Sequence, residues 1–210
     1  MILRKGPERN QTLTSHVRDS YGRRASEYVQ VLGSIGQMAD NDRETIAKWA
    51  SHISDPILDA GSGPGHWTHY LHEQGSDIEG IDLTPEFVES AQARFPEVKF
   101  QTGSFESLPF EAGSFGGVLS WYSLIHVDPG DVPKILAEFS RVLKSEGLLL
   151  LGFFEGQHLE AFDHAVTQAY FWPIAEMDSC LNSVGCDVVR SDSRHDLPNR
   201  PHAEIAAKKR

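Results

Sequence analysis

From Val17 to Ile35 the apolar or small positions Val17, Tyr21, Ala25, Tyr28, Leu32 and Ile35 recur every three or four residues, and this spacing predicts an amphipathic helix. A second helix is predicted near Asp40 or Asp42, either able to cap it, with Ile46, Ala47 and Trp49 on one side. The pattern then changes. Ile57-Leu58-Asp59-Ala60-Gly61 is a short apolar run ending in glycine, followed by helical spacing through Trp67, Tyr70 and Leu71. Asp77 to Leu83 reads as a second strand, after which Thr84 caps and Pro85 opens a helix carrying Phe87, Val88, Ala91 and Phe95. Val98 to Gly103 and Phe115 to Tyr122 are the third and fourth strands. A helix with Ile135, Leu136, Phe139, Val142 and Leu143 inward is expected to stop at Gly147, where the strand LLLLGFF (Leu148 to Phe154) follows at once. Strand and helix alternate throughout, which predicts an α/β fold with a doubly wound, mostly parallel sheet and helices on both faces.

After Glu155 the order loosens into an insertion bearing Phe162, Tyr170, Phe171 and Trp172, and a helix is predicted from Pro173 to about Val184. Two last strands are predicted at Asp187 to Ser191 and Ala203 to Lys208, separated by a loop with Pro198 and Pro201. The 210 residues fit one domain with a full core.

Charge narrows the partners. With 19 Lys and Arg against 30 Asp and Glu the net charge is −11, which repels phosphate backbones and argues against nucleic acid. No apolar run reaches the roughly 20 residues needed to span a bilayer, and the basic, polar N-terminus has no apolar segment behind it. No membrane partner is expected, and the expected location is cytoplasmic. Cys180 and Cys186 show no zinc or redox spacing. His66, His69 and His72, three residues apart each time, drift around a helix instead of converging, so no metal is expected.

Between the first strand and its helix lies Asp59-Ala60-Gly61-Ser62-Gly63-Pro64-Gly65. Glycines there let the backbone approach a ligand closely at a helix N-terminus, at the carboxyl ends of the strands. Asp59 stands at the strand end, where a carboxylate can bind an ammonium group directly or through water. Asp82 ends the second strand, where a carboxylate can accept both hydroxyls of a ribose.

With these residues the chain resembles a class I S-adenosylmethionine-dependent methyltransferase of the small bacterial, metabolite-directed type. The resemblance rests on ILDAGSGPGHWT and GIDLTPEFVESA in that order and spacing. It is supported by FQTGSFESLPF, FGGVLSWYSLIHV, the strand after FSRVLKSEG, and the N-terminal YGRRASEYV. It implies a single Rossmann-like domain over 1–210 and a seven-stranded sheet in the order 3-2-1-4-5-7-6 with the seventh strand antiparallel. Residues 1–15 are then expected to be flexible, 16–50 a helical lid and 156–173 an aromatic insertion. The implied cofactor is S-adenosyl-L-methionine, leaving as S-adenosyl-L-homocysteine. Asp59, Gly61 and Gly63 would surround its methionine part, with Asp82 on the ribose and Leu83 beside the adenine. Ser104 and Phe105 match the position that meets the adenine, although many relatives carry an acid where Ser104 stands. Ser120 and Trp121 match positions beside the methionine amine and the sulfonium, and Tyr21 matches a tyrosine that closes over the cofactor.

Methyl transfer from a sulfonium is an in-line displacement, so the protein has mainly to align a nucleophile and exclude water. Tyr21, Tyr122 and Trp121 offer aromatic faces to a cation. His126, just past the fourth strand, is expected as the titratable catalytic group beside Tyr21: it can take a proton from the nucleophile, orient the substrate, or hold the loop at Val127-Asp128-Pro129. Ser120-Trp121-Tyr122-Ser123 lacks the Asn/Asp-Pro-Pro-aromatic string of enzymes that methylate base or glutamine amines. A small-molecule acceptor, apolar or ring-containing, is therefore expected; the oligomeric state stays open. A non-catalytic binder of the same cofactor remains an alternative. So does a nicotinamide-dependent dehydrogenase, although it predicts Gly-x-Gly-x-x-Gly and here His66 stands three residues after Gly63.

Overall fold

The central strands are apolar on both faces, as strands covered by helices on two sides must be. The computed structural model describes residues 7–195 and 200–210, so Pro198 lies outside the described residues. In chain order the elements are α1 (Pro7–Leu32), a 3-10 turn (Ile35–Gln37), α2 (Asp40–Ala50), β1 (Ile57–Ala60), α3 (His66–Glu73), β2 (Ile78–Asp82), α4 (Pro85–Arg94) and β3 (Lys99–Thr102). They continue with β4 (Phe115–Trp121), α5 (Val132–Val142), β5 (Leu143–Phe154), β6 (Glu160–Phe162), β7 (Ala169–Phe171), α6 (Ile174–Ser183), β8 (Cys186–Arg194) and β9 (His202–Lys209).

Seven strands form one sheet in the order β3-β2-β1-β4-β5-β9-β8. With the separate β6–β7 hairpin set aside, this is the expected 3-2-1-4-5-7-6 order. The strands β3, β2, β1, β4 and β5 are parallel neighbours, and β9 runs antiparallel to both β5 and β8. On one face α2 and α3 press Ile46, Trp49, Trp67 and Leu71 onto Ile57, Leu119 and Leu150. On the other, α5 lays Ile135, Leu136 and Phe139 over Leu149, Leu151 and Phe153. At roughly 1.5–3 kcal/mol for each fully buried side chain, these faces hold the sheet rigid. The strands' carboxyl ends thus form a fixed platform. Among the described residues no helix is long and apolar enough to cross a membrane.

Several local expectations are corrected. The first helix starts at Pro7, ten residues before Val17, and it ends at Leu32 before a separate 3-10 turn. Pro7 suits a first helical turn, where its missing N–H is no loss. Neither Asp40 nor Asp42 caps α2: Ala39 occupies the cap position, and both acids lie in the first turn, where they favour the helix dipole. Thr84 holds the cap position of α4, but its side chain makes no cap bond. The helix expected to reach Gly147 stops at Val142, and Leu143 pairs with Phe115. Glu146, at a φ of 67°, turns the chain before Leu148 joins β4 opposite Gly117. The insertion contains the β6–β7 hairpin, in which Phe162 and Phe171 stack at 4.1 Å.

Candidate functional site

The turn after β1 carries three left-handed glycines, Gly61, Gly63 and Gly65, at φ of 86°, 52° and 81°. At Gly61 the requirement is also steric, since an added Cβ would stand 2.2 Å from the Ser123 Cβ. Above Gly63 there is open space. Its amide donates to Asp82 Oδ2 at 2.8 Å, and the Thr84 amide donates to Oδ1 at 2.8 Å. Burial pushes the Asp82 carboxyl up, while these amides and the Thr84 hydroxyl pull it back toward the charged form. Each oxygen keeps lone-pair capacity for a further donor. Thr84 thus serves Asp82 instead of capping its helix.

Asp59 lies beneath the turn, 2% exposed, and accepts from Thr68 Oγ1 at 2.7 Å. Burial lifts its carboxyl to about 7, against the Thr68 bond, and the Asp82 charge adds to the rise. Ser120 is 1% exposed and does not reach the open cleft; its hydroxyl lies 2.5 Å from Ser123 Oγ, which in turn donates to the Ala60 carbonyl. Ser123 is the residue that faces the cleft.

α1 covers this platform. Tyr21 and Tyr28 pack edge to face with ring centroids 5.7 Å apart, and both rings lean on Phe87 of α4, at 5.7 and 5.3 Å. The Tyr21 hydroxyl is 2.8 Å from His126 Nε2, and His126 Nδ1 is 2.7 Å from the Gln168 carbonyl. A carbonyl only accepts, so Nδ1 carries the proton and Nε2 accepts from Tyr21. Burial holds the His126 imidazole down to about 4, against the Gln168 bond, and His164 adds to the lowering. His126, for which proton transfer, substrate orientation and loop structure were all open, is a neutral ring with both nitrogens engaged. Burial likewise pushes the Tyr21 hydroxyl far above its ordinary range.

Two adjoining cavities share Tyr21, Tyr28, Gly61, Gly63, Trp121 and Tyr122, forming one cleft. The first, about 120 Å³, runs past Asp82, Leu83 and Phe105, with Ser104 and Phe105 on a smaller recess of about 60 Å³ beyond it. The second, about 350 Å³, extends past Pro64 and His66 toward Phe154, His164 and His202. Trp121 packs over Gly152, where a Cβ would meet the indole at 2.7 Å. Tyr122 follows at a φ of 56°, a strained conformation for a side-chain-bearing residue, and its hydroxyl bonds His202 Nδ1. Of the sequence-predicted residues, the structure brings Tyr21, Gly61, Gly63, Asp82, Leu83, Ser104, Phe105, Trp121 and His126 to the cleft. Asp59 and Ser120 lie beneath its floor.

Sequence reasoning missed Thr68, Ser123, His164 and His202. Sheet register brings His202 opposite Phe154, and no local motif marks such a partner across the chain. Among the described residues no cluster of His, Cys, Asp and Glu could hold a metal ion.

Residues 57–147 match the family described as a methyltransferase domain. The chain is 30% identical over 130 residues to the malonyl-[acyl-carrier protein] O-methyltransferase of Salmonella typhimurium, covering 62% of this chain and 50% of that protein. It is 38% identical over 100 residues to the uncharacterized methyltransferase YcgJ of Bacillus subtilis, covering 45% and 39%. The chain thus spans about half or less of the length of these relatives. Among solved structures it superposes on the 1,6-didemethyltoxoflavin-N1-methyltransferase of Burkholderia thailandensis, crystallised with its substrate and S-adenosylhomocysteine, with a TM-score of 0.76, 22% identity and coverage of 100% and 92%. The [4+2]-cyclase SpnF gives a TM-score of 0.79 at 17% identity, covering 93% and 96%. One fold thus serves different chemistries, and the site must decide between them.

Proposed function

We propose that this chain is a class I S-adenosylmethionine-dependent methyltransferase that transfers a methyl group to a small molecule at the cleft between α1 and the strand ends. The observation that carries the reading is the Asp82 carboxylate, set by the Gly63 and Thr84 amides beside a glycine turn left open above Gly63. A ribose diol fits that carboxylate, as it accepts two donors in one plane. Leu83 and Phe105 give an adenine ring apolar walls, with Ser104 at its far edge. The methionine part fits along Gly61, Gly63 and Pro64, over the buried Asp59.

When bound, the cofactor supplies an electrophilic methyl on a positively charged sulfur. Trp121 and Tyr122 then face that charge with aromatic surface. Tyr21, held by His126, closes α1 over the cleft and excludes water. His126 therefore acts as the latch of Tyr21, and the acceptor is reached from the Phe154 side. Alignment and water exclusion are the protein's main contributions to an in-line displacement.

Calorimetric titration with S-adenosylhomocysteine and with a dinucleotide tests the cofactor, and transfer of labelled methyl to a metabolite extract tests the activity. Micromolar binding of S-adenosylhomocysteine with transfer supports the proposal. Preference for the dinucleotide overturns it, and binding without transfer to any extract leaves a cofactor-binding protein in its place.

A further inference from the structure

Four buried polar atoms of residues lining the larger cavity, Ser62 Oγ, His66 Nδ1, Trp121 Nε1 and His164 Nδ1, have no hydrogen-bond partner among the described residues, and the last two belong to its aromatic part, beside Tyr122 and Phe154. A buried polar atom left unpaired costs about 1–3 kcal/mol, so both atoms suit a ligand that supplies the partner. The indole nitrogen is a donor only, so its partner must accept. Around these atoms the cavity is aromatic. Phe154 lies 5.9 Å from the His164 ring and 5.6 Å from the His202 ring, and Tyr122 packs on Phe154 at 5.1 Å. Arg200 stacks over Phe162 at 4.7 Å and stands 6.0 Å from the Phe154 centroid.

Charge selects further. In a chain of net charge −11, this end of the cleft has the Arg200 guanidinium 6.0 Å from its Phe154 wall and the imidazoles of His164 and His202 along it. Among the described residues the one carboxylate on this cavity's wall, Asp42, is paired with Arg194 at 2.8 Å, and Asp82 lies on the adjoining recess. An anionic oxygen placed here meets donors and a cation, whereas an ammonium group meets Arg200 and the indole N–H edge. We propose that the methyl acceptor is a planar aromatic molecule bearing an anionic oxygen, its ring against Phe154 and Tyr122 and its oxygen toward Trp121 Nε1, His164 and Arg200.

This assignment rests on reading the cleft as the cofactor site, so the test loads the cofactor product first. Three para-substituted phenols, 4-hydroxybenzoate, its neutral near-isostere 4-hydroxybenzamide and the cationic tyramine, are titrated into protein saturated with S-adenosylhomocysteine. The expected result is saturable binding of 4-hydroxybenzoate, about tenfold or more tighter than the amide or tyramine, as charged hydrogen bonds allow. Arg200→Met keeps the stem over Phe162 and removes the charge; it should erase most of that preference while affinity for S-adenosylhomocysteine stays unchanged. Equal or tighter binding of tyramine, no saturable binding of 4-hydroxybenzoate to the loaded protein, or an unchanged preference in Arg200→Met overturns the assignment alone. Failure of S-adenosylhomocysteine to bind overturns both this assignment and the reading beneath it.

Discussion

The Tyr21 hydroxyl donates to His126 Nε2 at 2.8 Å and so ties α1 to the loop after β4, while His126 Nδ1 is held by the Gln168 carbonyl. Three separate segments therefore close over the cleft through one imidazole. If the pair is a latch, Tyr21→Phe should weaken S-adenosylhomocysteine binding about two- to twelvefold, the worth of one neutral hydrogen bond of 0.5–1.5 kcal/mol. His126→Ala should weaken it similarly, and the double variant should be no worse than either single one. A general base behaves otherwise: His126→Ala would then lower kcat by about 10²–10⁴ and spare cofactor affinity.

The sheet and the half of the cleft around the glycine turn and Asp82 were legible because their signals are local. Gly61 and Gly63 needed left-handed backbone, Asp82 closed an apolar run, and the alternation of strand and helix set the layers. The half of the cleft toward Phe154 was not legible. His164 sits in an insertion without periodicity, and His202 meets Phe154 only through antiparallel register. Asp42 looks like a helix cap in the sequence, yet its carboxylate is drawn to Arg194 from the far edge of the sheet. Ser120 and Ser123 differ in accessibility because β4 ends between them, and spacing alone does not show which hydroxyl reaches the cleft.

Asp82→Ala should weaken S-adenosylhomocysteine binding by about 10- to 150-fold, from the 1.5–3 kcal/mol of a hydrogen bond to a charged acceptor. The loss has two parts, since Asp82 also holds the Gly63 and Thr84 amides. Asp82→Asn keeps one acceptor oxygen and should fall between the two proteins. Titration calorimetry reads both, and an unchanged affinity in the alanine variant removes Asp82 from the site.

Asp59, with its carboxyl raised to about 7, is partly protonated at neutral pH in the free protein. A bound ammonium group favours the charged carboxylate, so binding S-adenosylhomocysteine should release a proton near pH 6.5 and tighten as pH rises from 6 to 8. Calorimetry in two buffers of different ionisation enthalpy measures that proton. Asp59→Asn should abolish both the release and the pH dependence; if they persist in the variant, another group titrates.

His126 links the latch to stability. Its imidazole is held at about 4 in the folded protein against 6.5 ordinarily. Above pH 6.5 the ring is neutral in both states and contributes nothing to the pH dependence. As pH falls from 6.5 toward 4 the unfolded chain takes up a proton that the folded chain refuses, so stability is lost across that window. His66, held at about 4 chiefly by burial, acts in the same direction, whereas Asp59, with its raised carboxyl, acts in the opposite one between about 4 and 7. The wild type alone therefore mixes these contributions, and the comparison with His126→Gln isolates one. Urea midpoints of the ligand-free proteins should show the stability of wild type relative to His126→Gln rising from pH 4 to 6.5 and levelling above. The slope should not exceed about 1.4 kcal/mol per pH unit, the limit for one proton. A difference that stays constant across the window would mean that the folded His126 titrates as an ordinary histidine, which is incompatible with a buried ring whose Nε2 is committed to Tyr21.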